Sequence, residues 1–272
     1  MVVVVVVVWG GGGRVDGGGG VSPSRRGKGA GAIAAAAAPA ATAADADSGN
    51  AGERPPASPT APTPKPISVA LGHSAADAGV IAAAVAAGAR VSTHLGNGCP
   101  GVLPRHENHI FAQLGQDALT ATLIADGHHL GPPSSGVLKT FLRVKAPLGK
   151  AVLVSDCTAA AGLPPGEYTY HIGGSVELSR TGRLSVRGNP GLLAGSAATL
   201  AQCVGIASVS GGLAGGLGEA WDCATALPAA LVGRVCSGLQ AGAVADLVVV
   251  APGGPGGELR VLQTCKGGKV VG

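Results

Sequence analysis

From residue 66 onward, short apolar runs alternate with stretches long enough for a helix. ISVAL (67–71), ARVST (89–93), LTATLIA (119–125) and KAVLVS (150–155) are rich in β-branched and small apolar residues, the texture of strands buried on both faces. Between them lie AADAGVIAAAVAAG (75–88), ENHIFAQLGQDA (107–118) and GVLKTFLRVKA (136–146). Strands alternating with helices predict βαβ units and a parallel sheet. After Ser155 the alternation loosens. GEYTYHIGGSVELSRTGRLSV (166–186) predicts a β-hairpin excursion, and AGSAATLAQCVGIAS (194–208) and EAWDCATALPAALVG (219–233) predict helices. GAVADLVVVAP (242–252) and LRVLQTCKGGKVV (259–271) are strand-like again, the second with a Gly-Gly turn.

The first 65 residues have a different texture. Seven valines come after Met1, far short of the ~20 apolar residues that span a bilayer. No basic region precedes them, so a secretory signal is a poor match. The Ala/Pro/Gly-rich stretch beyond them cannot bury enough apolar area to offset its ordering entropy, which predicts a disordered tail over 1–65. Arg14, Arg25, Arg26 and Lys28, with few acids, keep an organelle transit peptide as a minor alternative. A translated repeat or a faulty gene start is favoured over it, and a cytoplasmic location is expected.

Composition narrows the function classes. Aromatic residues make up 2% of the chain, glycine reaches 48 of 272 positions, and the net charge is +4 with scattered basic residues. That distribution offers no electrostatic footprint for nucleic acid, and no membrane partner is expected. The six cysteines (Cys99, Cys157, Cys203, Cys223, Cys236 and Cys265) form no CxxC pair, so neither a zinc knuckle nor a disulfide framework is expected.

The main chemical signal lies just past each predicted strand. The first strand runs into Gly72-His73-Ser74, the second into His94, the third into Asp126-Gly127-His128-His129, and the fourth into Asp156. In parallel α/β folds these strand ends share one face, where active sites form. A lone histidine at a strand end is more often a hydrogen-bonded structural group; four such ends in register point to a site. Imidazoles with a nearby carboxylate suit a divalent metal and the proton of its water, which predicts a metallohydrolase on a (β/α) barrel.

The motifs GHS (72–74), STHLGNG (92–98), LIADGHHL (123–130), LVSDCTAAAG (153–162), LLAGSAATL (192–200) and ADLVVV (245–250) occur in the order seen in N-acetylglucosamine-6-phosphate deacetylases of the amidohydrolase superfamily. The resemblance runs from about residue 67 to 272. It implies that His73 and His94 are the metal ligands, for zinc or iron. Asp156 is implied as the catalytic acid/base, taking a proton from the attacking water and returning it to the leaving amine. Asn97 and Gly98 resemble the pair that contacts the substrate, and Leu193, Ala194 and Gly195 a loop packed against the sugar. Arg105 and His129 resemble the cationic residues that hold the sugar phosphate; a guanidinium offers phosphate a planar fork. The implied partner is a small-molecule amino-sugar phosphate, and a homodimer is allowed. Read without the resemblance, Arg105 fits a surface loop charge equally well. His128 reads as a loop-facing neighbour, and His106, His109 and His171 as solvated or structural groups.

The sequence also departs from the family pattern. The resemblance implies the second half of a metal-dependent (β/α)8 amidohydrolase barrel, strands five to eight, over 66–245, with terminal strands of a small β-sandwich over 246–272. The first barrel half, with its metal-binding glutamate and a histidine that polarises the substrate carbonyl, finds no match upstream of Ile67. Glu53 lies in GERPP with no strand before it. The favoured expectation is a gene model that has lost its amino-terminal half, ahead of pairing with another chain or a degenerate copy. Two other readings stay open: an amidohydrolase acting on a different amide, and a catalytically silent fragment acting as a binding partner.

Overall fold

The computed structural model describes residues 4–7, 68–170, 174–234 and 238–252, together with 236, 254 and 256–272. All of them fall in one compact unit of the chain. The parallel sheet predicted from the apolar runs is present. Strands β2 (Val69–Leu71), β3 (Ala89–Ser92), β4 (Thr120–Ile124) and β5 (Ala151–Val154) pair in parallel in the order β2-β3-β4-β5. The sheet is open at β2 and β5, and among the described residues no barrel closes.

Helices α1 (Ala78–Ala86), α2 (His109–Leu114) and α3 (Val137–Lys145) lie between these strands. The first two are shorter than their apolar stretches because polar caps fall inside them. The Asp77 side chain accepts from the Val80 N–H at 2.8 Å and that of Asn108 from the Phe111 N–H at 3.0 Å, which starts each helix there. In α3, Leu138, Phe141, Leu142 and Lys145 are buried, one face at helical spacing. The Lys145 ammonium is fully buried and donates to the carbonyls of Gln116 (2.7 Å) and Leu119 (3.1 Å). With Leu95, Leu114, Leu123, Leu153, Cys203 and Val204, this face closes the main core.

The predicted hairpin excursion is larger than two strands. Strands β6 (Gly166–Tyr170), β7 (Gly174–Leu178), β8 (Leu184–Val186) and β9 (Asn189–Leu193) form a four-stranded antiparallel sheet around Val176, Leu178 and Leu184. Leu193, expected in a loop, is therefore the last residue of a strand, paired with Ser185. Helix α4 (Leu200–Ser210) starts later than its apolar stretch, at a capping box of Thr199 and Gln202. The next stretch splits into α5 (Gly216–Asp222) and α6 (Ala226–Leu231), since Pro228 lacks the N–H that a continuous helix would use.

The carboxyl-terminal strands β10 (Leu247–Pro252), β11 (Leu259–Lys266) and β12 (Lys269–Val270) pair antiparallel. Val4–Val7 (β1) pairs in parallel with β10, so this part of the predicted tail is a strand. The rest of the tail, including Arg14, Arg25, Arg26, Lys28 and Glu53, lies outside the described residues, as does His171. No described helix is long and apolar enough to cross a membrane.

Candidate functional site at the strand ends

The carboxyl ends of β2 and β3 bring the two predicted metal ligands into contact. His73 Nε2 and His94 Nε2 are 3.0 Å apart, with ring centroids at 4.7 Å and ring planes tilted by 54°. The backbone at His94 is held by its neighbour strand: its N–H donates to Thr122 Oγ1 (2.6 Å), whose hydroxyl donates to the Ser92 carbonyl (3.0 Å), and the Leu95 N–H reaches the Thr122 carbonyl (2.8 Å). His94 takes φ 28° there. Asn97 folds back onto the same residue, with its backbone N–H (3.1 Å) and its Nδ2 (3.2 Å) both donating to the His94 carbonyl. Gly98, at φ 63°, lies against the His73 ring with no room for a Cβ.

Two neutral imidazoles meeting nitrogen to nitrogen can share only one proton, whereas a divalent cation between them would use both lone pairs. The donor set therefore fits two corners of a metal site. Among the described residues no group of three or more His, Cys, Asp or Glu side chains forms a complete one. His94 Nδ1 is buried without a partner, so no acceptor fixes that ring from behind.

Asp156 comes after β5 with an exposed side chain and φ 51°. The predicted sugar loop comes to its backbone: the Ser196 N–H donates to the Asp156 carbonyl (3.0 Å), and the Thr158 N–H to the Ser196 carbonyl (2.9 Å). Gly195 sits beside the Asp156 carbonyl, and Ala194 is half-buried against the antiparallel sheet. His94 and Asp156 are the two non-glycine residues with positive φ among those described. Both are predicted site residues, and such strain gathers at functional positions.

At the end of β4 the structure shows a role for Asp126 that its sequence motif did not assign. Asp126 is buried and accepts three hydrogen bonds: from the backbone N–H groups of His128 and His129 (2.8 Å each) and from His129 Nδ1 (2.7 Å). Burial alone would raise the Asp126 pKa, but the His129 ring and the two N–H groups outweigh it and hold it at about 2. The signal is present in Asp-Gly-His-His: an aspartate three residues before a histidine, just past a strand, is an Asx-type turn. Thr122 carries no such signal, because its role depends on the strand beside it. His128 turns the other way, with Nε2 3.1 Å from the Thr181 carbonyl, tying the strand-end loop to the antiparallel sheet. Arg105 is an exposed loop residue with no hydrogen-bond partner among the described residues. His106 is exposed, and His109 is buried with Nε2 unpartnered.

No family model matches the chain. It is 31% identical over 187 residues to the N-acetylglucosamine-6-phosphate deacetylase of Vibrio furnissii, covering 68% of this chain and 44% of that protein. It is 36% identical over 103 residues to the N-acetylgalactosamine-6-phosphate deacetylase of Escherichia coli O157:H7, covering 38% of this chain and 26% of that one. The crystal structure of the Mycobacterium smegmatis N-acetyl-D-glucosamine-6-phosphate deacetylase matches with a TM-score of 0.65 at 30% identity, over 75% of this chain and 52% of that one. Over the part it covers, the chain is related to N-acetylglucosamine-6-phosphate deacetylases. It spans a little under half the length of the curated relative from Vibrio furnissii.

Proposed function

We propose that this chain carries the strand-end half of a deacetylase site, one that hydrolyses the acetamide of N-acetylglucosamine 6-phosphate to glucosamine 6-phosphate and acetate. The observation that carries the reading is the contact of His73 and His94, Nε2 to Nε2 at 3.0 Å, at the ends of adjacent parallel strands. Kinship with named deacetylases supplies the reaction class. His73 and His94 would hold a divalent metal, zinc or iron, which when bound supplies Lewis-acid polarisation and a nucleophile near neutral pH.

The chain's own residues do the rest. Asp156, exposed beyond β5, takes the proton of the attacking water and delivers it to the leaving amine. The backbone shelf at Asn97 and Gly98 meets the sugar, and Leu193, Ala194 and Gly195 pack against its other side. Arg105 and His129 hold the phosphate. A second reading, hydrolysis of the galactosamine epimer, is favoured by the similarity to the Escherichia coli relative. The barrel reading comes from the same kinship: β2 to β5 would be the second half of a (β/α)8 barrel, and β10 to β12 strands of a small sandwich.

The test is acetate release by the purified chain from each 6-phosphate epimer, with added zinc or iron. Metal-dependent release that falls at least about a hundredfold in Asp156→Asn is the expected result, the scale of a lost general acid/base. A folded, metal-loaded chain that releases no acetate from either epimer would sink the reading.

A further inference from the structure

The Asp126–His129 contact carries more than a salt bridge. The two side chains are 2% and 6% exposed, so the carboxylate is held away from water and cannot be satisfied by it. Three of the carboxylate's lone-pair positions are already filled, two by backbone N–H groups on Oδ1 and one by the His129 ring on Oδ2. Because a carboxylate with its proton removed only accepts, the ring nitrogen that faces it must be the one that carries hydrogen. The low Asp126 pKa keeps it in that state across the neutral range. His129 Nε2, by contrast, makes no hydrogen bond among the described residues and is not sealed from solvent.

We infer that Asp126 is a positioning residue: it holds the Nδ1–H of His129, so that Nε2 is the one ring nitrogen left for a ligand at the strand ends, accepting from a ligand hydroxyl in the neutral ring and donating to a phosphate oxygen in the imidazolium. This deepens, and rests on, the reading of His129 as a contact to the sugar phosphate. The carboxylate sets ring orientation as well as tautomer, since a ring flip would place a carbon against Oδ2 and leave a buried anion short of a donor. The two backbone bonds fix the carboxylate itself, so each link from backbone to ring is held. Its neighbour His128 contributes nothing to this arrangement, because its own Nε2 is spent on the Thr181 carbonyl.

Nitrogen-15 NMR of the histidine rings in the full chain tests it, with His129 assigned by the signals missing in His129→Gln. In the neutral ring, hydrogen on Nδ1 is the expected pattern, against the Nε2–H form that free imidazole side chains favour. Asp126→Asn keeps an oxygen for the backbone N–H groups but turns an amide N–H toward Nδ1, so the expected result is inversion to the Nε2–H form. A wild-type ring with hydrogen on Nε2 overturns the proposal. So does an Asp126→Asn protein of unchanged circular dichroism whose ring pattern stays as in wild type. If that variant does not fold, the wild-type pattern alone decides. Titration with glucosamine 6-phosphate then separates the two claims. A shift confined to Nε2 supports both, whereas the Nδ1–H pattern with no ligand-induced shift supports the positioning role and removes His129 from the phosphate site.

Discussion

Gly98 and the His73 ring occupy the same space to the limit of contact: a Cβ built on Gly98 would overlap three atoms of that imidazole. The turn after β3 therefore sets where the histidine from β2 can stand. His73 meets His94 because the residue four positions beyond His94 has no side chain.

Gly98→Ala is expected to separate the two histidines. The new methyl must displace the His73 ring, and alanine at φ 63° adds about 1–2 kcal/mol of backbone strain. Zinc titration measured by isothermal calorimetry should show affinity at least about tenfold weaker. Unchanged affinity would detach the glycine from the metal pair.

Stability should fall in acid through Asp126. Its carboxyl titrates at about 2 in the folded chain and near 3.8 when unfolded. The stabilisation is complete above the unfolded value and is lost as pH falls through the folded one. Urea unfolding measured from about pH 5 down to about pH 2 should show this loss, and Asp126→Asn should flatten the slope across that window.

Lys145 predicts a slope of the same sign at the other end of the scale: there too the folded chain gives up its proton before the unfolded one. Burial, with the Lys150 charge, pulls its ammonium below the usual 10.5 despite Asp117. Between that lowered value and 10.5 the unfolded chain holds a proton that the folded chain lacks, so stability rises with pH over the window. Lys145→Met should remove this rise in urea midpoints compared across the alkaline range, and a wild-type midpoint that does not climb there would contradict it.

Gly205, inside α4, reverses the usual helix rule. Alanine is ordinarily preferred to glycine in a helix by about 1 kcal/mol. Here a Cβ would collide with the backbone carbonyl of Gly257, where α4 packs against the loop before β11. Gly205→Ala should lower the melting temperature, whereas a solvent-facing glycine-to-alanine change would not.

Much of this fold is legible because buried parallel strands advertise themselves. The runs at 89–93, 119–125 and 150–155 each contain the observed strand, and the residues just beyond them share one edge of the sheet. Helix starts mislead where Asp77, Asn108 and Thr199 cap the chain inside an apolar stretch. The excursion reads as a hairpin because its third and fourth strands, three and five residues long, are too short and glycine-broken to show alternation. At the site, His73 and His94 are recognisable from their motifs. The hold of Thr122 on His94 joins strands 28 residues apart, and no local pattern encodes it.

The left-handed backbone at His94 and Asp156 has a consequence for the history of this chain. Twenty described glycines adopt positive φ, so glycine is the chain's habitual answer wherever such a conformation is needed. At positions 94 and 156 glycine would relieve about 1–2 kcal/mol each and make a sturdier protein. A sequence drifting without demand on its chemistry has an easy downhill step at both places. Under the proposed function, histidine at one and aspartate at the other stand there for what they do, at the expense of how firmly the chain folds.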